Sequence, residues 1–434
     1  MSEWTLDQLQ DWDARIQDQA AEFGLDCYTQ EFEICDSEAM LGYMAYHGMP
    51  SHYPHWSFGK AFEQTKTKYD YGVTGLPYEM VINSDPCLAY LMRDNSLCLQ
   101  VLTIAHVYGH NDFFKNNFTF TSATDAKETI AQFKARADRV RSYIDDPSIG
   151  AEAVEEVLDA AHALSFNRTR NLALKGAKTA GDLAGGEASD NILLAIRDHN
   201  PKLEDWQKDL LTIVDEEACY FIPQIETKIM NEGWASYWHH RIMMALPLSD
   251  DLRLEFMVRH NQVICPHPGG LNPYHVGFVV WQDIMQRYGE DGRCAQLFAV
   301  RESDRDTAFL RRFLTPELMR ELDLFSYKAR GDRLVVDAIA DDEHADTVKQ
   351  NLLRQIGCAG MPVIRVMDLD AEGRRILVLE HAHDGRDLEL SQAEKTMAHI
   401  RKLWGHPVHL QTQLRGNASL LQLDDDGFAA GMLN

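Results

Sequence analysis

Two histidines four residues apart, at the end of an unbroken apolar stretch, constrain this chain more than any other feature. The run Leu97-Cys98-Leu99-Gln100-Val101-Leu102-Thr103-Ile104 leads without Gly or Pro into Ala105-His106-Val107-Tyr108-Gly109-His110-Asn111-Asp112. A stretch of that kind predicts a buried helix. On such a helix His106 and His110 share one face, about a turn apart. That is the spacing at which a helix offers two imidazoles to one metal ion, as in H-E-x-x-H. The second letter here is Val107 rather than Glu. The ligands of a zinc-hydrolase helix are present and its usual base is not. The plain alternative is a pair of hydrogen-bonded core histidines, a spacing that chance also produces.

A later segment bears on that choice. Glu232 sits among Gly233, Trp234, Ala235, Tyr237 and Trp238, a stretch too apolar for a solvated face. A carboxylate buried there needs a cation or strong hydrogen bonds. His106, His110 and Glu232 therefore form a candidate His₂Glu set with a fourth position open. Zn²⁺ is the divalent ion such a set favours, though iron and manganese accept the same ligand types. His239, seven residues past Glu232, falls on nearly the same face but about 10 Å along the axis, so it is expected to meet a bound substrate rather than the ion. Asp112 is a candidate to orient a ligand histidine. With Val107 in the base's place, His239, Asp112 and Glu79 are the candidate catalytic groups. For His239 and Asp112 the alternative is a hydrogen-bonded interior residue. His52, His55, His267 and His275 lie in polar loops and read as structural, His55 beside Trp56 standing nearest to a role at the site.

Composition narrows the function classes. A chain of 434 residues with 45% hydrophobic content is globular and long enough for two or three domains. It has no apolar run near the roughly 18 residues of a membrane span. The acidic start Met1-Ser2-Glu3-Trp4-Thr5-Leu6-Asp7 is not a signal peptide, and the expected compartment is the cytoplasm. A net charge of −25 argues against nucleic acid and anionic membrane surfaces. Eight cysteines without a C-x-x-C pair are expected to be reduced and structural.

Along the chain, Trp4–Phe23 has helical periodicity and Tyr78–Asn83 reads as a strand just before the histidine helix. Zinc peptidases grip an extended substrate with a strand so placed, though such a strand has many other uses. Residues 169–190 form a Gly/Ala-rich loop, expected to be mobile. Pro223 is expected to restart a helix carrying Glu232. From about Asp332 the pattern changes to strand Leu334–Ile339, helix Ala345–Ile356, strands Pro362–Asp368 and Arg374–Glu380, helix Ser391–Trp404 and strand Val408–Leu414. That order is βαββαβ, the ferredoxin-like arrangement. The expected fold is a mainly α domain over 1–325 with a small β element, zincin-like, then an α+β ferredoxin-like domain over 332–434. His381 and His383 point the same way on a strand, without a third ligand nearby.

Several long segments together carry a family resemblance. They are His52–Lys60 (HYPHWSFGK), Tyr78–Pro86 (YEMVINSDP), Ala105–Asn117 (AHVYGHNDFFKNN), Lys228–His240 (KIMNEGWASYWHH) and Leu403–Leu410 (LWGHPVHL). The chain resembles the stage V sporulation protein R (SpoVR) family along nearly its whole length. The resemblance implies a link to spore cortex formation, in a family also found in bacteria that make no spores, and a serine-protein kinase as partner. Glu232–Ala235 is also similar to the Glu-Gly-Trp-Ala segment of some gluzincin-type metallopeptidases, which carries the third zinc ligand. The function expected is a cytoplasmic metalloprotein acting as a hydrolase or amidase on a peptide- or amide-type substrate in cortex or cell-envelope metabolism. Its rival is a metal-stabilised scaffold or regulatory binding protein without turnover.

Overall fold

The apolar run before His106 does form a helix, Leu97–Asn116, opened by Ser96, whose hydroxyl accepts from the Leu99 amide. Every side chain from Cys98 to Phe114 is buried. The histidine helix therefore has no solvent face, which is why it shows no amphipathic stripe. The computed structural model describes residues 4–71, 79–168, 191–266, 270–290, 294–330, 333–339, 344–371 and 373–433, with 325–339 described by main chain alone. The expected loop 169–190 and His267 lie outside the described residues.

The chain packs as two units that interleave in sequence: 1–134 with 223–357, and 135–222 with 358–434. The first is mostly helical. Around the histidine helix stand Leu6–Glu22, Lys228–Ala245, Asp250–Val263 and Ala295–Ser303, and Pro273–Tyr288 packs on the far side of Lys228–Ala245. Leu6–Glu22 is held at its start by a Thr5/Gln8 capping box and buries Leu9, Ile16 and Ala20, the periodicity read from the sequence. Trp234, Trp281, Phe113, Phe256 and Phe309 fill the core between these helices. The unit's small sheet holds β1 (Gln30–Cys35), β2 (Glu79–Ile82) and β3 (Cys87–Met92) in the order β1-β3-β2, with β1 parallel and β2 antiparallel to β3. Only β2 was expected. A separate antiparallel hairpin joins β4 (Phe325–Arg330) to β5 (Arg333–Ile339).

The second unit is built on a five-stranded sheet: β6 (Ile364–Ala371), β7 (Ile376–His381), β8 (Val408–Leu414), β9 (Asn417–Asp424) and β10 (Gly427–Met432), in the order β10-β9-β8-β7-β6. The β7–β8 pair is parallel, joined by a crossover containing helix Leu390–Trp404, and the other pairs are antiparallel. The expected elements appear near their predicted places, but the ferredoxin-like arrangement does not. The strand expected to open it, β5, satisfies its backbone in the hairpin with β4. Two unforeseen strands complete the sheet instead. The β8–β9 turn is Arg415-Gly416, both at positive φ (53° and 80°), the type I′ geometry that matches strand twist. Among the described residues no helix is long and apolar enough to cross a membrane.

Packing around the five-stranded sheet reaches far back in sequence. Asn200 donates to the carbonyls of Leu403 and Trp404 at 2.8 and 3.2 Å, and Arg375 donates to the His199 carbonyl at 2.9 Å. Helix Gly150–His162 packs on helix Leu390–Trp404. Helix Ala345–Leu353, by contrast, belongs to the first unit, where Lys349 donates to the Leu314 carbonyl at 2.7 Å. The division expected at 325–332 follows chain order instead, and independent folding of 332–434 has a direct test. That fragment lacks Gly150–His162, which packs on Leu390–Trp404, and Ile192–His199, which packs on β6, and it carries a helix belonging to the other unit. It is expected to bind a hydrophobic dye and melt without a cooperative transition, by fluorescence and circular dichroism. A sharp transition would show that the sheet and Leu390–Trp404 suffice.

Candidate metal centre

The centre lies where the histidine helix meets helix Lys228–Ala245, and small residues set how close the two come. A Cβ built on Gly109 would lie 2.6 Å from the Ala235 backbone, and one on Gly233, where Lys228–Ala245 also packs on Pro273–Tyr288, would lie 2.4 Å from the Gly277 backbone. Side chains beyond hydrogen at these points would hold the helices apart. Pro223 was expected to restart the second helix, but it lies inside Asp205–Glu226 and the break falls at Thr227. The Thr227 side chain makes no capping bond. The buried Asp306 carboxylate serves instead, accepting from the Ile229 and Met230 amides at 2.9 Å each. Burial raises the Asp306 pKa to about 7 against the pull of those two amides.

Four side chains from three elements then converge. His110 Nε2 lies 3.4 Å from Glu232 Oε2, and His106 Nε2 lies 3.9 Å from the same oxygen. Glu79, the first residue of β2, brings Oε1 to 3.7 Å from His106 Nε2. Ligand atoms of Glu79, His106 and His110 all fall within 4.8 Å of one another. His106 Nε2 and Glu232 Oε2 are buried and have no hydrogen-bond partner. Bonds of about 2.0–2.2 Å at near-tetrahedral angles separate donor atoms by roughly 3.3–3.6 Å. The gaps are thus too long for good hydrogen bonds and close to those a shared divalent ion leaves. Imidazole and carboxylate donors suit zinc and, equally, other first-row divalent ions.

Electrostatics separates the two carboxylates. Burial favours a proton on Glu232, but His106 and His110 outweigh it and hold the group far below the usual range. On Glu79 burial wins over the two imidazoles and the pKa is raised. Burial pulls His110 down, yet Glu232 and Asn231 leave it raised.

Behind the ligands stands a layer that the sequence did not reveal. Asn231 Oδ1 meets His110 Nδ1 at 2.8 Å. His239 is fully buried, with Nδ1 2.8 Å from His106 Nδ1 and Nε2 2.8 Å from His260 Nδ1. The expectation that His239 meets substrate is corrected here, because both its nitrogens are used inside the protein. Burial, then neighbouring imidazoles, lower the pKa of His239 and bring that of His260 to about 3. Asp112 is corrected too: it orients neither histidine. Its oxygens accept from the Asp26 amide at 2.8 Å and Trp234 Nε1 at 2.9 Å, and Arg301 lies 3.3 Å away. Two residues past His110, it leaves the helix on another side and pins Trp234 there. Burial raises its pKa to about 6, against the pull of Arg301. His55 caps helix Trp56–Asp70, accepting from the Ser57 amide, and His52 packs on Phe58. His381 meets Thr412 Oγ1 at 2.9 Å, and His383 meets Asp387 at 3.1 Å.

Comparison with known proteins places this arrangement. The family described as SpoVR like protein matches residues 3–184 and 175–361. The chain belongs to the SpoVR family. Its C-terminal companion, the SpoVR-like C-terminal domain, matches 362–415. A relative from Escherichia coli (strain K12), "Uncharacterized protein YcgB", is 33% identical over 97% of this chain and 95% of its own length. No solved structure matches the chain. None of the matches is to a metallopeptidase. All the converging residues lie inside the SpoVR match.

The glycine contact yields a prediction. Gly233→Ala must push Gly277 and Phe278 away, since its Cβ would meet their backbones at 2.4 and 2.8 Å. It is expected to cost about 1–3 kcal/mol in denaturant unfolding. A variant as stable as the parent would show that the helices can separate freely.

Proposed function

We propose that this SpoVR-family chain is a divalent-metal hydrolase in which His106, His110 and Glu232 hold the ion and Glu79 is the general base. The observation that carries this reading is the convergence of Nε2 of both histidines with two carboxylates, where His106 Nε2 and Glu232 Oε2 are buried without a hydrogen-bond partner. A divalent ion held there supplies Lewis acidity, polarising a carbonyl and making water easier to deprotonate. Glu79 takes a proton from water, whose oxygen attacks the amide carbon, and gives the proton to the leaving nitrogen as the C–N bond breaks. The opposite shifts of Glu79 and Glu232 support this split of roles. Support for an extended peptide- or amide-type substrate comes from β2, which among the described residues pairs with β3 alone. Its other edge stands beside Glu79, where such a substrate could add as a strand. Cortex or envelope material as the substrate source rests on the family.

A second reading, a metal-stabilised scaffold that serves a partner such as a serine-protein kinase, is favoured by Val107. It is fully buried and occupies the position of the usual base.

Glu79→Gln separates the two. Under the hydrolase reading it keeps the metal by elemental analysis and loses at least about 100-fold in rate on blocked dipeptide amides or cell-wall muropeptides, while His110→Ala loses both. Wild-type protein that holds metal, turns over none of these and unfolds on chelation would establish the scaffold.

A further inference from the structure

The deepest part of the centre is a row of three imidazoles contributed by three helices. His106 stands on Leu97–Asn116, His239 on Lys228–Ala245 and His260 on Asp250–Val263. The two contacts between them are both 2.8 Å, hydrogen-bond length, so each holds one proton. A neutral imidazole has a single N–H, and that leaves two arrangements for the row. In one, His106 Nδ1–H donates to His239 Nδ1 and His239 Nε2–H donates to His260 Nδ1. In the other, both bonds reverse and the proton of His106 must sit on Nε2. Only the first leaves His106 Nε2 bare, and that atom is the one facing Glu79 and Glu232.

We propose that His239 and His260 are positioning residues that fix the tautomer and ring angle of His106, His260 acting at second remove by accepting the His239 proton. The inference rests on the metal-centre reading above. Asn231 does the corresponding work for His110 with its Oδ1. Carboxylates are common partners for ligand histidines, yet both partners here are uncharged. Glu79 and Glu232 already match the charge of a divalent ion. A third buried carboxylate would add an uncompensated charge, so neutral acceptors are what this site can accommodate. A merely space-filling histidine would not need both nitrogens aligned in one row. His260 is held by the rings of Phe256, Phe278 and His240, which fixes the direction of its Nδ1.

The test uses the full chain, with Co²⁺ absorption and competitive Zn²⁺ titration as readouts. His260→Phe keeps the ring volume and removes the acceptor, whereas His260→Asn restores an acceptor near the position of Nδ1. The expected result is a 10- to 100-fold loss of affinity in the first, near-parental affinity in the second and no binding in His110→Ala. Parental affinity in His110→Ala would overturn the metal centre itself. Loss in His110→Ala with parental affinity in folded His260→Phe would leave the centre standing and overturn the row. If His260→Phe does not fold, ¹⁵N imidazole spectra of the Zn²⁺-loaded parent decide. A His239 proton on Nε2 supports the assignment, and one on Nδ1 overturns it.

Discussion

Two buried helices in contact through glycine and alanine are what the rest of this site depends on. Where Gly109 meets Ala235, nothing larger than a methyl group separates the two backbones, and Gly233 lets a third helix, Pro273–Tyr288, close on the far contact at Gly277. Ligands projected from the two helices are thereby forced within a few ångströms of each other. Glu232 Oε2 is buried and has no hydrogen-bond partner, so hydration does not stabilise that oxygen. A carboxylate in that position must be neutralised by positive charge nearby. Charged imidazoles can supply it, or a cation can. The packing of small residues thus creates an electrostatic demand, and the chemistry of the site is the answer to it.

The opposite side of the same contact is closed by a different network. Asp112 accepts from Trp234 and faces the buried Arg301, so the histidine helix grips the partner helix one residue from Gly233. At the start of that helix, Asp306 receives the amides of Ile229 and Met230. Both carboxylates stand outside the ligand cluster, and each fixes the helix that carries Glu232. Charge is used for architecture on the outer faces, whereas the groups directly behind the histidines, Asn231 and His239, are neutral.

How much of this was legible depends on whether the signal is local. The histidine helix was readable because its residues are contiguous and its spacing is intrinsic to helices. Glu232 was readable because its neighbours are too apolar for an exposed carboxylate. Glu79 could be named as a candidate but not placed, since nothing local to β2 says which helix its strand starts beside. Distance along its own helix from Glu232 does not reveal the place of His239, because its partners lie on other helices. The histidine helix runs past that helix, and His106 meets it one layer deeper. His260 and Asn231 left no signal, as their partners lie 21 and 121 residues away. In the second unit element types were legible but pairing was not. The pattern of β5, in the first unit, is the same whether it joins a hairpin with β4 or a larger sheet, and β9 and β10 follow a turn of only two residues, Arg415-Gly416.

On the hydrolase reading proposed above, a valine at 107 and a base on β2 have a physical logic. Val107 is fully buried in the histidine helix, and a carboxylate there would have to trade its protons within a dry core. The Glu79 side chain keeps 14% of its surface exposed at the first residue of a short strand, so the same function can be served from a position with an outlet. Desolvation still raises its proton affinity, as a base working near neutral pH requires. A base on the strand would leave Val107 to pack in the core and let helix contacts set the ligand geometry. A strand residue is less firmly held than one in the centre of a buried helix. On the hydrolase reading, the side chain that would move a proton sits on the short strand, and those that would hold the ion sit on the buried helices.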